Sequence, residues 1–566
     1  HVHGDRGRGI LTTLDGVDIQ DPIIPRGELT HAPVNPDNLQ EFRVTTALAS
    51  SEHGRNSGAH IQMVTRSGLN EFHGTIYEFL RNTSLDANGF FSNHLVNPLT
   101  GRTPIPRERL QQNQFGVGVG GPIMKNKMFF YFNYDGSRRI QSFLVTNTTL
   151  TREAREGRFR FVRGTITLPD GTPTTRLTPG LVDSATGALR SGIATCGGTV
   201  TTNCVDTYNI VANDPRGLGL NPTMQELLNL YPLPNDFAGG DGLNTAFFRW
   251  LAPTQAPADA YTAKVDYKFN SRYEMFVRYN LYWRNHLIGD FINGALPRTP
   301  NTGVGRSRLS RSQSAAVGLK TLVRPTILND VVLGFTRNAL SFADTSHPHH
   351  SGDPVFSTVP ELRTGTFTTP WIYWGGTFRY PEHFQVKDSL RWQRGAHAMS
   401  MGFDIRFYRF NNLRNVGSSP QGSGISVFPS VFFTSGLVPF TGTTSANVVA
   451  NSTDRTRLQG MFNELLGIAA QMDQIMYSNG KEYRPGNGLL MYQRQREYGF
   501  FWQDDWRIHP RFTLNYGLRY ELFGVPYDRG GLQVVPDRPL DKFPVTFLQG
   551  GPNTDRNWYR RDKNDL

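Results

Sequence analysis

At 566 residues, the chain is long enough for several soluble domains or for one large β-barrel. Aromatic residues make up 12% of it, and no stretch approaches the ~18 consecutive apolar residues of a membrane-spanning helix, which excludes a helical membrane protein but not a β-barrel. The formal net charge of +12 is scattered rather than clustered, which argues against a nucleic-acid partner.

The first 70 residues differ in pattern from the rest of the chain. Short β-like runs lie among turn residues, at 11–17, 42–46 and 59–65. This pattern predicts a small mixed globular unit. Asp15, Asp18 and Asp21 recur at every third position, which indicates either turn chemistry around Gly16 or a carboxylate site for Ca²⁺.

From residue 71 onwards the pattern predicts paired strands. We expect them at 72–80, 113–121, 128–135, 261–269, 273–282, 311–322, 327–337, 383–392, 397–407, 496–505 and 512–521. Short connections alternate with long ones, which span 81–112, 136–260, 283–310, 338–382 and 408–495. This alternation is typical of bacterial outer-membrane barrels, which have short periplasmic turns and long extracellular loops.

The predicted strands separate apolar from polar side chains. In 512–521, Phe512, Leu514 and Tyr516 share one face with Leu518 and Tyr520, whereas the charged residues lie on the other. The charges on the opposite, inward face of these strands include Lys264, Asp266, Arg278, Asp404 and Arg519. A face without charge is what lipid requires, because Lys or Arg at mid-bilayer costs roughly 2–4 kcal/mol.

Strand 383–392 fits this rule less well. It places Asp388 on the same face as Phe384 and Val386. Either this position lies near the membrane interface, or the predicted register is wrong.

The long connections contain their own signals. Apolar residues over 458–476 recur at helical spacing, and 222–230 begins with Pro222 in a second helical pattern. Cys196 and Cys204 are the two cysteines of the chain, and they favour a loop disulfide in an oxidising compartment over a metal site.

Three further motifs suggest a functional site, but each also has a simpler structural interpretation. Residues 116–121 satisfy G-x-G-x-x-G spacing, but a strand rather than a helix follows, so the glycines are expected to leave room on the lumen face for the plug. The histidines and acids at 344–353 are irregularly spaced, which favours a solvated loop over a site for Zn, Cu or Ni. Asp504 and Asp505 point to opposite strand faces and cannot form an acid–base pair. No catalytic or cofactor motif is recognised, so neither an enzyme nor a resident cofactor is predicted.

Several ordered segments resemble the TonB-dependent outer-membrane transporters, in particular the Oar-like group. The matching segments are 14–17, 38–44, 51–68, 70–82, 114–123, 127–131, 503–507 and 514–521. The first three are similar to the end of the family's plug domain, with motif residues Asp15, Gly16, Glu41, Gly54, Arg55, Gly58 and Thr65. His53 departs from the pattern, because the family usually has Tyr at that position.

The resemblance implies a mainly β fold: a large antiparallel transmembrane barrel of about 22 strands when complete, with an N-terminal plug. Residues 1–70 would be the C-terminal part of the plug and 71–566 the N-terminal part of the barrel, so we expect a fragment cut at both ends, without the segment that contacts TonB. The implied function is plug-gated active transport across the outer membrane of a Gram-negative-type bacterium. Its partners would be membrane lipid, a TonB-type energising protein and a peptide-, glycan- or siderophore-like substrate passing Lys264, Asp266, Arg278, Asp404 and Arg519.

Two other functions remain open from the sequence. The first is a passive porin, or a structural or adhesive outer-membrane barrel. The second is a secreted soluble protein that binds or hydrolyses carbohydrate, which would be extracted without detergent.

Overall fold

The structure is a computed structural model. It describes residues 10–21, 35–46, 50–55, 59–88, 90, 109–214, 216–229, 231–288, 306–344, 361–368, 374–416, 426–427, 430–432, 449–468, 471–473, 476–478, 483–484, 489–529, 533–536 and 547–550. Among these residues, no helix is long and apolar enough to cross a membrane.

Strands dominate the described part of the chain. They are β1 (Ile10–Leu14), β2 (Val17–Asp18), β3 (Leu39–Thr45), β4 (Ala59–Thr65), β5 (His73–Asn82), β6 (Leu110–Met124), β7 (Met128–Leu150), β8 (Arg158–Arg163), β9 (Ile166–Thr167), β10 (Pro173–Thr174), β11 (Cys204–Asn209), β12 (Thr245–Gln255), β13 (Ala258–Lys268), β14 (Tyr273–Ile288), β15 (Arg306–Arg324), β16 (Ile327–Asp344), β17 (Glu361–Arg363), β18 (Trp374–Arg394), β19 (His397–Val416), β20 (Ser426–Val427), β21 (Ser430–Phe432), β22 (Gln471–Asp473), β23 (Met476–Ser478), β24 (Tyr483–Arg484), β25 (Leu489–His509), β26 (Phe512–Phe523), β27 (Tyr527–Asp528), β28 (Gln533–Pro536) and β29 (Phe547–Gly550). The α-helices are α1 (Arg152–Arg155), α2 (Pro222–Asn229) and α3 (Ser452–Leu465).

The largest sheet, called the wall here, is antiparallel and follows chain order. From one edge to the other its strands are β5, β6, β7, then β12 and β13 in one position, then β14, β15, β16, β18, β19, β25 and β26, with β27 extending the last position. All the strands predicted after residue 71 are present. In the described residues no ladder joins β5 to β26, so the sheet is not closed.

Wall strands are longer than the sequence pattern predicted, and one was missed. β7 continues to Leu150. β13 pairs with the first half of β7 and β12 with its second half, so residues 136–260 are not a loop throughout. Pro257 separates β12 from β13, because proline has no N–H to donate to a ladder.

Short turns join the wall strands at one end. Asn126 and Gly395 lie in such turns at φ +64 and +59, the left-handed region that asparagine and glycine tolerate. At the opposite end the strands run into the long connections.

The N-terminal sheet, defined as β1 to β4 together with the described residues that connect them, is a small unit at the start of the chain. Its strand order is β2-β1-β4-β3, with β1 and β4 parallel and the other pairs antiparallel. Leu14 and Ile19 form its fully buried core, together with the partly buried Leu39 and Met63.

Three long connections share a second hydrophobic core, called the loop core here. Phe159, Phe161 and Leu181 from the connection between β7 and β12 pack in one cluster with Phe367 and Phe462 from two later connections. Within the same connection, Cys196 and Cys204 form a disulfide bond.

The two helical predictions differ in outcome. The helix at 222–230 is confirmed as α2, but the helix over 458–476 is wrong beyond Leu465. α3 ends there because Gly467 takes φ +88, which turns the chain out of the helix, and Met472 and Met476 lie in β22 and β23.

Candidate functional site between the N-terminal sheet and the wall

The turn between β1 and β2 carries an acidic side chain into the wall. Asp15 and Gly16 take φ +48 and +84, so the chain reverses in two residues. The Asp15 carboxylate accepts hydrogen bonds from the Thr65 backbone N–H at 3.0 Å and from Arg278 Nε at 3.2 Å. Asp18 pairs instead with Arg55 and Arg406, and Asp21 accepts a hydrogen bond from Asn338 Nδ2 at 3.3 Å, so the three acids do not form one site.

Arg278 is the main partner of Asp15 on the wall, and it is fully buried. Its guanidinium also donates to Leu14 O at 3.0 Å, to Asn280 Oδ1 at 2.7 Å and to Ser314 Oγ at 2.8 Å. Because arginine carries five N–H groups in a rigid fork, one side chain can join two elements of the N-terminal sheet to two wall strands.

Lys264 adds a second cation to this cluster. Its Nζ donates to Thr65 O at 3.1 Å and lies 3.8 Å from both the Asp15 and the Asp266 carboxylates. Lysine, arginine and two acids are thus held together where the N-terminal sheet meets β13 and β14.

A second charged cluster lies around Asp18. Its carboxylate is 3.3 Å from Arg55 Nη1 and 3.5 Å from Arg406 Nη1. Arg406 also binds Asp404 at 2.7 Å, and Arg55 Nε donates to Glu497 at 2.9 Å. Burial raises the pKa of Asp18, but Arg406 and Arg55 outweigh this effect and hold the pKa below its ordinary value.

A third cluster joins the segment around Glu52 to the last wall strands. Glu52 pairs with Lys387 at 2.9 Å, and Arg519 Nη1 donates to Ser51 O and Glu52 O, each at 3.2 Å. A Cβ added at Gly54 would lie 1.8 Å from Arg519 Nε, so this close approach requires glycine.

Two histidines of the N-terminal sheet are neutral at pH 7. The ring centroids of His53 and His60 are 4.2 Å apart. Burial lowers the pKa of His53 to about 4 and that of His60 to about 3. They therefore add no charge to the interface.

The residues singled out from the sequence fall into three groups. Lys264, Arg278 and Arg519 contact the N-terminal sheet directly, whereas Asp266 and Asp404 pair with the wall cations Lys264 and Arg406 beside that contact. Asp15, Gly16, Gly54, Arg55 and Thr65 lie on the other side of the same contact. Glu41 is exposed on β3, and Gly58 lies outside the described residues.

Sequence reasoning missed Glu52, Lys387 and Glu497 as interface residues. Alternation could have placed Lys387 and Glu497 on the inner face, but it does not reveal which partner they meet. The prediction that the glycines at 116–121 make room for the plug is wrong, because a Cβ added there would first meet side chains such as Tyr77, next to Gly116, and His73, next to Gly120. Only indirectly, through the hydrogen bond of Tyr77 with Asn35, does Gly116 affect the N-terminal sheet.

Asp388 lies on the outward face, as its register predicted. It accepts a hydrogen bond from Asn329 Nδ2 at 2.6 Å, near the short-turn end of β18. Of the acids and histidines at 344–353, all but Asp344 lie outside the described residues. In the described part of the chain, no group of three or more His, Cys, Asp or Glu side chains could hold a metal ion.

A cavity of about 510 Å³ opens beside the first cluster, towards the short-turn end of the wall. Its charged lining comprises Asp266, Lys268, Glu274, Lys320 and Asp330. Residues 67–70, which follow β4, close one side of it.

The family model described as "Outer membrane beta barrel domain" matches residues 64–566. The chain is also 28% identical over 121 residues to the TonB-dependent transporter Oar of Myxococcus xanthus, a match that covers 21% of this chain and 11% of that protein.

Two solved structures align with most of this chain. The outer membrane transporter YddB of Escherichia coli aligns with a TM-score of 0.46 and 10% identity over 92% of this chain and 50% of its own. The ferric enterobactin receptor PfeA of Pseudomonas aeruginosa, a mutant in complex with enterobactin, gives 0.42 and 8% over 92% and 52%. The chain thus spans about half the length of these solved chains.

Proposed function

The chain belongs to the outer membrane beta barrel domain family and is an outer-membrane protein, and we propose that it forms the gated part of an active transporter. In this proposal the N-terminal sheet is the plug and the wall is part of the barrel. An inner-membrane protein of the TonB type would supply the energy that moves the plug. The similarity to the Oar transporter supports this direction.

The observation that carries the proposal is the chemistry of the contact between the two sheets. The contact is built on buried charges, with Arg278 and Asp18 each nearly without exposure, rather than on a continuous apolar core. Separating buried ion pairs into water restores the hydration of each ion, which offsets much of the lost attraction. An apolar contact of equal area would lose about 25 cal/mol per Å² without such compensation. The charged contact therefore suits a plug that leaves and returns.

The same charges would form the substrate path once the plug moves. Lys264, Arg278 and Arg519 donate hydrogen bonds to the N-terminal sheet. Movement of the plug would therefore expose these cations, and the acids beside them, to the lumen. The cavity beside Asp266 is the proposed exit on the short-turn side. A path of mixed charge suits a large polar substrate, such as a peptide, a glycan or a siderophore-like molecule.

The proposal is tested by the accessibility of a wall side chain beneath the plug. Ser314 is fully buried and contacts Arg278, so Ser314→Cys places a thiol at the interface with a change of one atom. We expect a membrane-impermeant thiol reagent to label this cysteine in energised cells and not after a protonophore has collapsed the proton gradient. The native cysteines are disulfide-bonded and would not contribute to the signal.

Gln313→Cys is the matched control. Gln313 is the neighbouring residue on β15, it is only partly buried, and its amide bonds Tyr279 OH on the outward face. Its labelling should not depend on energisation. If Ser314→Cys were labelled to the same measurable extent in energised and de-energised cells, this would contradict active gating and favour a passive porin.

The loop core supports a second candidate, an adhesive or structural barrel. Three connections pack into one hydrophobic cluster at the end opposite to the short turns, which would make a stable surface module. For that function the Ser314→Cys thiol should remain unlabelled under all conditions.

A further inference from the structure

Four arginines surround a groove on the wall that does not face the N-terminal sheet. Arg409 lies on β19, Arg494 and Arg496 lie on β25, and Arg529 follows β27. The groove has a volume of about 490 Å³, and Phe384, Phe407 and Tyr527 contribute aromatic surface to it.

Strand alternation shows that the groove lies on the outward face. Tyr408 and Glu497 bind Arg55 of the N-terminal sheet and are buried, so their neighbours Arg409 and Arg496 point the opposite way. Both arginines are exposed.

The height of the groove is set by the apolar residues below it. On the outward face of β25, the exposed aromatic residues are Trp506 near the short turn and then Trp502 and Phe500. Arg496 and Arg494 lie beyond them, towards the long connections. On β19, Phe407 precedes Arg409 in the same way. The arginines therefore lie where the apolar band ends towards the long connections, at the level of lipid headgroups.

The local charge is not balanced by acids. Glu382 lies 3.6 Å from Arg409, and Asp528 accepts a hydrogen bond from the Tyr492 backbone N–H at 2.7 Å. Among the described residues, four arginines less these two acids leave a net charge of +2 around the groove. Elsewhere on the outward face, by contrast, Arg138 is paired one to one with Asp259 at 2.9 Å.

Two of the arginines are already held in position. Arg494 Nη1 donates to Asn411 Oδ1 at 3.0 Å, and the Arg409 guanidinium lies 5.2 Å from the Phe384 ring centroid. Such fixation lowers the conformational entropy that binding an anion would otherwise cost.

We propose that this groove binds the phosphate-bearing headgroup of a glycolipid in the outer leaflet. Guanidinium groups bind phosphate through paired N–H···O bonds, and basic pockets at membrane level recognise charged headgroups. The aromatic floor continues into the apolar band, so acyl chains attached to the phosphate could lie along Phe407 and Phe500. This continuity favours a lipid over a free phosphate ion. The inference requires only that the wall lies in the outer membrane, and it is independent of the proposed transport.

The test uses native mass spectrometry of the outer-membrane protein that carries this chain, delipidated in detergent and then titrated. The probes are diphosphoryl lipid A, its dephosphorylated form, and inorganic phosphate. The variant is Arg494→Ala/Arg496→Ala/Arg529→Ala, and Arg138→Ala is the control on the same face.

We expect lipid A to bind the wild type and Arg138→Ala equally. Affinity should fall roughly fivefold for each groove arginine removed, and so about 100-fold in the triple variant. If the triple variant does not fold, Arg529→Ala alone should show the fivefold loss. Equal binding by the triple variant, equal binding of dephosphorylated lipid A, or binding of inorganic phosphate as tight as that of the lipid would each overturn the proposal.

Discussion

At the scale of single residues, alternation predicts orientation well but not contacts. Lys264, Arg278 and Asp404 point inward as expected, since neighbouring side chains in a strand lie on opposite faces. Asp15, the partner of both Lys264 and Arg278, lies far from them along the chain, and no local pattern links it to them. Alternation thus predicts which side chains face inward, but not which residues of the N-terminal sheet they meet.

Asp15 offers a direct test of the buried charges. Asp15→Asn leaves Arg278 and Lys264 without their shared anion, and breaking one side of a buried pair costs about 3–5 kcal/mol. We expect this loss in the free energy of opening of the N-terminal sheet, measured by native-state proteolysis of the purified protein. Adding Arg278→Met should recover about 1–3 kcal/mol, because it removes the stranded cation.

Glu41→Gln is the control for this experiment. It makes the same acid-to-amide change on the exposed face of β3 and should cost less than ~0.5 kcal/mol. A loss for Asp15→Asn no larger than that of the control would show that the buried cluster contributes little to holding the sheet in place.

At the scale of elements, strongly alternating strands were predictable and irregular ones were not. β25 and β26 repeat aromatic residues on one face, so their existence follows from the pattern. β12 has the adjacent pair Phe247-Phe248 and contains Pro253, which conceal the alternation. Its pairing with β7 comes from the tertiary structure, which overrides weak local preference.

Helix α3 contains a titratable group that couples the loop core to pH. Glu464 accepts hydrogen bonds from the Gly365 and Thr366 backbone N–H groups, and burial raises its pKa from 4.5 to about 7. Between pH 4.5 and about 7, Glu464 therefore keeps its proton in the folded state, whereas it has lost that proton in the unfolded state. Stability contributed by Glu464 is present below pH 4.5 and is lost as pH rises through about 7.

We expect hydrogen exchange of α3, corrected for intrinsic rates, to report this change. The free energy of opening of α3 should fall by roughly 2–3 kcal/mol between acidic and neutral pH, and Glu464→Gln should abolish most of this pH dependence. Protection that rises with pH, or an unchanged profile in Glu464→Gln, would be inconsistent with a buried, proton-binding Glu464.

At the scale of the whole molecule, chain order and alternating connection length predicted the antiparallel wall. The loop core could not be predicted in the same way. Phe161, Phe367 and Phe462 come from connections that lie far apart in sequence, and no local pattern shows that these connections pack against one another. The molecule thus has two sets of contacts, a charged one beneath the N-terminal sheet and an apolar one among the long connections.

The proposed plug mechanism requires that the N-terminal sheet separates from the wall when the protein is energised. Val17 packs against Gly334, where an added Cβ would lie 3.2 Å from Val17 Cβ, so Val17→Cys/Gly334→Cys can form a disulfide after a shift of a few tenths of an ångström. The reductant also cleaves the native disulfide, so Cys196→Ser/Cys204→Ser protein serves as the control for that effect.

The decisive measurement is the labelling rate of Ser314→Cys in energised cells, with this cross-link oxidised and then reduced. We predict that oxidation lowers the rate to that of de-energised cells and that reduction restores it. Labelling that stays as fast in the cross-linked protein would mean that the reagent reaches the wall without movement of the N-terminal sheet, which would contradict the plug mechanism.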